Sequence, residues 1–202
     1  PYACADQPPV NPRVDRRISG KASWKGAGGL ASDVEYYGGW MREEAERRIG
    51  HLYPNIRTSQ GQEYTPIAWI WARTVKCPNP ACGCEMPLIR SWWLSKKPRK
   101  LAWVEPVIQG KRVTYTVKQS KGAPRDGTVN RRGATCVCCG SPVGFAYIRA
   151  EGQAQRMGEQ LIAIVGEGDR GRVYVGPITD HISLAGSIFR PDGLPDTELP
   201  HN

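Results

Sequence analysis

Apolar residues recur at helical spacing through the first quarter of the chain. Val34, Tyr37, Met41, Ala45 and Ile49 fall on one face, the 3.6-residue period of an amphipathic helix. Ser32 and Glu35 form an S-x-x-E capping box, in which each side chain satisfies an orphan amide of the first turn. The pattern therefore predicts a helix opening at Ser32. Gly38-Gly39 weakens its middle by about 1 kcal/mol per glycine relative to alanine and would admit another backbone. The EEAERRIGH stretch reads as a solvated, ion-paired surface. Beyond it the period changes. Thr65-Pro66 has the form of a helix start, with Thr as N-cap and Pro at N1. The IAWIWARTV run behind it suits a short helix or a strand equally. Residues 86–94 (MPLIRSWWL), 101–108 (LAWVEPVI) and 111–118 (KRVTYTVK) carry strand patterns, and Gln109-Gly110 between the last two is a hairpin signal. GFAYIRAEG at 144–152 predicts another strand. QLIAIV and RVYVG predict a hairpin around GEGDRG, and the Pro- and Asp-rich tail after about residue 180 predicts irregular structure.

The cysteines organise these elements. Cys77-Pro-Asn-Pro-Ala-Cys82-Gly is a knuckle with four intervening residues, and Cys136-Val-Cys138-Cys139-Gly is one with two. Tetrahedral zinc takes four thiolates at about 2.3 Å, and a tight turn presents two from one short loop. Cys77, Cys82, Cys136 and Cys139 are the expected ligands, one at each end of each turn. Gly83 and Gly140 follow the second cysteine of each pair, where the backbone turns back under the metal. A closed four-cysteine site is structural and leaves no open position for substrate. Cys84 and Cys138 are spare thiols in the same turns, able on spacing alone to replace a ligand, and Cys4 is isolated. His51, His181 and His201 have no ligand spacing to one another. The expected fold is α+β: a zinc ribbon with antiparallel β-hairpins plus a prominent N-terminal helix. Its segments read as an extended lead-in (1–29), a helical segment packing on the ribbon (30–76), the zinc-ribbon domain with basic hairpins (77–179) and an irregular tail (180–202).

Composition sharpens this picture. The 202 residues include 23 Gly and 17 Pro, which favours short strands and turns over a helical bundle. No apolar run approaches the ~20 residues of a membrane helix, and the opening PYACADQPPVNP has neither the charged nor the apolar region of a signal peptide. Cysteines gathered in two tight groups suit a metal in a reducing compartment better than a disulfide framework, so the expected location is cytoplasmic, with no membrane partner. The net charge is +9, yet residues 86–135 hold twelve Lys or Arg against Glu105 and Asp126, and the remainder is close to neutral. A localised positive surface is the electrostatic footprint of a phosphate-backbone partner. Within it Trp92 and Trp93 sit among Arg90, Lys96, Lys97, Arg99 and Lys100. Strand alternation would bury one Trp and present the other to an unpaired base; the equal alternative is that both are core or interface residues. Arg131 and Arg132, before the second knuckle, are candidate phosphate contacts, or residues of a capped turn. Gly166-x-Gly168-x-x-Gly171 matches a dinucleotide fingerprint in letters, but that fingerprint needs a following helix. Strand-like RVYVGP follows instead, so a hairpin turn is expected.

Several stretches resemble a known family: QPPVNP at 7–12, WKGAGGLASDVEYYGGWMREEAERRIGHLYP at 24–54 and IAWIWARTVKCPNPACGCEMPLIRSWWLSKK at 67–97. GTVNRRGATCVCCGSPV at 127–143, YIRAEGQAQRMGEQLIAIV at 147–165 and the closing PDTELPHN continue it. Together they resemble the adenine-specific DNA methylases that contain a zinc ribbon, a family linked to restriction-like and anti-phage systems. The resemblance implies the knuckle ligands already named, DNA as partner, and S-adenosylmethionine as cofactor of the parent enzyme only. It also implies a limit. The family's glycine-rich cofactor loop and Asp-Pro-Pro-Tyr motif lie on either side of the matching region, and neither is in this sequence. The chain is thus expected to be the zinc-ribbon part of such an enzyme, without catalysis of its own. Two roles remain: a DNA-binding or target-recognition module, and a docking insert for the catalytic remainder of the methylase or a defence-system partner.

Overall fold

The computed structural model describes residues 9–11, 13–14, 25–58, 61–169 and 171–188. Its class is α+β, with three antiparallel sheets and an N-terminal helix. The chain divides into two units, Pro1–Tyr53 and Pro54–Asn202.

The first unit is built on α1 (Gly28–Ile49), continued by one 3-10 turn at Gly50–Leu52. This helix opens a turn before the expected capping box. Ser32 lies inside it and donates its hydroxyl to Gly28 O at 3.1 Å, the back-bond of a helical serine. Asp33 is buried and accepts the amides of Val10 (2.7 Å) and Asn11 (3.0 Å), so part of the lead-in is fastened to the helix. The ion-paired face is as expected: Arg47 and Arg48 both bond Glu44 and hold its carboxyl down at about 2. Gly38-Gly39 does not interrupt the helix, and Val34, Tyr37, Trp40 and Met41 are exposed.

In the second unit the ambiguous apolar run is a strand. β1 (Ile56–Arg57) and the long β2 (Glu63–Lys76) form one sheet with β10 (Gly158–Gly168) and β11 (Gly171–Val175), in the order β1-β2-β10-β11. Pro66 does not start a helix but sits in β2 beside a bulge of that strand. Val165 and Gly166 of β10 pair with Ala68 and Pro66, leaving Ile67 as the extra residue, and a bulge is where a strand tolerates a residue with no amide. β3 (Glu85–Pro87) pairs with the other edge of β2. The chain then leaves that sheet, so 86–94 is not one continuous strand. β4 (Trp93–Lys97), β5 (Lys100–Gln109) and β6 (Arg112–Lys118) make a second sheet. The hairpin at Gln109-Gly110 is present, with Gly110 at φ 61°. β7 (Val129–Asn130), β8 (Gly133–Thr135) and β9 (Pro142–Val143) make a third, small sheet.

Two expectations fail here, one through a helical period hidden in a short segment and one through a distant contact. GFAYIRAEG is not a strand but α2 (Phe145–Gln153). Its half-buried Phe145 and Ile148 and buried Glu151 recur every three residues, and Ala, Arg, Glu and Gln between them are good helix formers. The segment after 178 is not irregular throughout, since Thr179–Ser187 forms α3. Its buried His181 accepts a hydrogen bond at Nδ1 from Trp69 Nε1 at 2.9 Å. That contact is 112 residues distant in sequence and invisible to local pattern.

One core joins the three sheets. Ala72 and Val75 of β2, Val104 of β5, Val113 and Tyr115 of β6, Ala134 of β8, Val143 of β9 and Ile162 and Ala163 of β10 pack with Trp92, Met86 and three cysteines, Cys77, Cys84 and Cys136. Tyr115 also donates its hydroxyl to Gln160 Oε1 at 2.6 Å, tying β6 to β10.

Candidate metal centre and basic surface

Each knuckle is a turn closed by backbone hydrogen bonds, independent of the cysteine thiols. Cys77 N donates to Cys84 O at 2.8 Å, while Cys82 N and Gly83 N both donate to Asn79 O at 3.0 Å. In the second turn Cys136 N donates to Ser141 O, and Gly140 N to Cys136 O, both at 2.9 Å. Gly83 and Gly140 take φ 59° and 73°. A Cβ on Gly140 would meet nothing within 4 Å, so backbone handedness, not shortage of room, calls for glycine there.

The two turns bring the four expected ligands together. The sulfurs of Cys77, Cys82, Cys136 and Cys139 all lie within 4.8 Å of one another, with 3.8 Å between Cys77 and Cys139 and 3.9 Å between Cys82 and Cys136. Four thiolates at about 2.3 Å from a shared ion stand about 3.8 Å apart along a tetrahedron's edges. The quartet can therefore hold a metal ion. Its members differ in environment. Burial pushes the Cys77 thiol up to about 12 and also raises Cys136. Exposed Cys139 is lowered to about 6, because the Ser141 hydroxyl and amide bond its sulfur. Asn79 Nδ2 in turn donates to Ser141 Oγ at 3.1 Å, linking the first knuckle to the second.

The supposedly spare thiols are not free. Cys84 and Cys138 are joined in a disulfide across the two knuckles, with Cα atoms 6.7 Å apart, inside the range a disulfide spans. Their sulfurs lie within 4.8 Å of Cys136. Of the other candidates, His51 is exposed and His181 is committed to Trp69. Cys4 and His201 lie outside the described residues.

The basic candidates separate into distinct places. All twelve cations of 86–135 are exposed. Lys96, Lys97, Arg99 and Lys100 sit together at the turn between β4 and β5, where Lys97 pairs with Lys100 and Arg99 takes φ 63°. Arg90 lies in the loop between β3 and β4. Arg131 and Arg132 occupy the β7–β8 turn, where Asn130 Oδ1 accepts the Arg132 amide at 2.8 Å. That is the capped turn considered as their alternative. Trp92 has to be removed from the binding candidates. It is 1% exposed, and its Nε1 donates to Asp126 O at 3.0 Å. Trp92 precedes β4, so strand alternation does not set the pair; Trp93, the first residue of β4, is half-buried, edge-on to Trp103 with centroids 5.6 Å apart, and Lys96 Nζ stands 5.9 Å from its ring. The GEGDRG segment is the expected hairpin turn, with Gly168 opposite Gly171.

Among the described residues no helix is long and apolar enough to cross a membrane. No family model, no curated protein and no solved structure matches this chain.

Proposed function

We propose that this chain is a zinc-ribbon module that binds DNA on behalf of an adenine-specific DNA methyltransferase and is not catalytic alone. Zinc is the metal favoured by the donor set, since closed all-thiolate tetrahedra suit Zn²⁺ and iron–sulfur centres, and paired knuckles are the usual zinc form. Cys77, Cys82, Cys136 and Cys139 would hold it, and its chemistry there is structural: it fixes two turns to one point.

The observation that carries the DNA reading is the placement of charge. The +10 of residues 86–135 is displayed on hairpins whose inner faces share a core with the cysteine centre. Lys96, Lys97, Arg99 and Lys100 crown the β4–β5 turn beside the half-buried Trp93. Cations with a stacking ring suit phosphates and an unpaired base. A salt titration of duplex and single-stranded DNA binding by the zinc-loaded chain tests this. The expected log–log slope on duplex is about −0.9 per phosphate contact, flattened by replacing those four cations with Ala. No binding at low salt sinks the reading.

A second reading rests on a different observation. Val34, Tyr37 and Met41 stand exposed along α1, an apolar stripe suited to docking the catalytic remainder of the methylase. A stable complex with that remainder, lost in Val34→Asp/Met41→Asp, together with no DNA binding, would favour it.

A further inference from the structure

Away from the cysteine centre, four chain segments distant in sequence meet around one cleft of about 1040 Å³. The start of β2 brings Tyr64, the β4–β5 turn brings Arg99 and Lys100, the segment after β6 brings Lys121, and the β10–β11 hairpin brings Asp169 and Arg172. The meeting is close: a Cβ placed on Gly171 would lie 3.1 Å from Lys100 Nζ. Gln119 Nε2 donates to Tyr174 O at 2.9 Å, which fastens the exit of β6 to β11. Among the described residues four cations thus line the cleft against one carboxylate, with Glu167 opposite Arg172 in the strand ladder. Half-buried Tyr174 contributes an aromatic ring to the wall.

The shape selects among phosphate ligands. Duplex DNA is read by elements that project into its grooves, whereas a recess between hairpin tips receives a strand. A positively charged groove with an aromatic side chain is how single strands are held without base readout: cations follow the backbone and the ring stacks on a base.

We propose that this cleft is a binding site for single-stranded DNA, with Arg99, Lys100, Lys121 and Arg172 on the phosphates and Tyr174 stacking on a base. The proposal rests on the DNA-binding reading above and deepens it. It adds Lys121, Arg172 and Tyr174 to a site of which the β4–β5 turn is one wall. It also gives the GEGDRG turn a task, since its tight glycines let β10 and β11 close beside Lys100.

The test is fluorescence anisotropy of a labelled thymidine dodecamer and of a duplex, using the zinc-loaded full chain. Lys121→Glu/Arg172→Glu should weaken dodecamer binding at least tenfold and reduce the steepness of the salt slope by about 1.4, at about 0.7 per single-strand contact. Tyr174→Ala should weaken it about tenfold, within the range of one base stack. Arg73→Glu/Arg149→Glu matches the charge change on β2 and α2, outside the cleft, and should leave affinity within about twofold. All the cleft positions substituted are exposed or half-buried, and thermal melts of each variant separate loss of site from loss of fold. Unchanged dodecamer affinity in the folded double variant overturns the cleft while the DNA reading stands. Equal losses in the cleft and control variants also overturn it, because net charge alone would then explain binding. No affinity of the wild-type chain for either DNA overturns both.

Discussion

Two buried threonines make the same substitution a test of opposite signs. Thr128, 6% exposed, accepts the Ile89 amide at 2.8 Å and donates to Pro87 O at 2.6 Å. It thereby fastens the return from the basic sheet to the strand that leaves the first knuckle. Thr128→Val keeps the shape, removes the partner of a buried amide and takes the hydroxyl from Pro87 O. Leaving a buried group unsatisfied costs about 1–3 kcal/mol, so the pair of losses costs about 2–6 kcal/mol. That corresponds to a fall in Tm of roughly 4–24 °C for a domain of this size. Thr74 is fully buried with no partner for its hydroxyl. Thr74→Val removes a desolvated polar atom and should stabilise by about 1 kcal/mol. Denaturant melts of the zinc-loaded chain measure both, with zinc content held at one per chain as the check that the centre is intact. Shifts of the same sign, or a Thr128→Val change below about 0.5 kcal/mol, would refute the hydrogen-bond accounting.

Further outcomes follow from the cysteines and from His181. Prepared without reductant, denatured and stripped of metal, the chain should show five reactive thiols of its seven cysteines, because Cys84 and Cys138 are paired; seven would refute the bridge. Metal loading has to strip protons from Cys77 and Cys136, both raised by burial. Chelator competition should therefore show zinc affinity rising from about pH 6 to about pH 8, and a flat profile would contradict those environments. His181 is lowered below 6.5 by burial, so the unfolded chain binds more protons than the folded one as the solution becomes acidic. Its contribution is full above pH 6.5 and is lost as pH falls through the interval below,. An NMR titration of His181 with a midpoint at or above the free value would overturn this.

The cysteine quartet is more legible than the surface around it, and the reason is locality. A knuckle is a short turn, so the spacing Cys77-x4-Cys82 and Cys136-x2-Cys139 already contains its geometry. The positive φ at Gly83 and Gly140 follows from closing that turn. Gln109-Gly110 and GEGDRG were legible on the same ground. What sequence could not settle depended on distant partners. IAWIWARTV is a strand because it pairs along its length with β10, with a bulge at Ile67 beside Pro66. Thr179–Ser187 is a helix whose His181 meets Trp69. Which of Trp92 and Trp93 faces the core was decided by Asp126 and Trp103. The bridge between Cys84 and Cys138 was missed because their nearness is created by the centre that the flanking cysteines form. Lys121, Arg172 and Tyr174 are scattered over 54 residues and converge only when β6 is fastened to β11.

That convergence explains why a structural metal would matter to a surface it does not touch. Cys77, Cys84 and Cys136 are members of the same packed core as Val104, Val113 and Tyr115, the inward residues of the two strands that carry the basic hairpin. Cores are close-packed and respond to small changes in volume or position. An ion holding Cys77 and Cys136 would therefore fix the ends of β2 and β8, and through them the seat of β5 and β6. Cys139 stands at the exposed corner of the quartet with Ser141 favouring its thiolate, the corner from which an ion can enter. With an ion bound, the buried cysteines would be the ones that tie it to the core, and Cys139 would be the one that faces solvent.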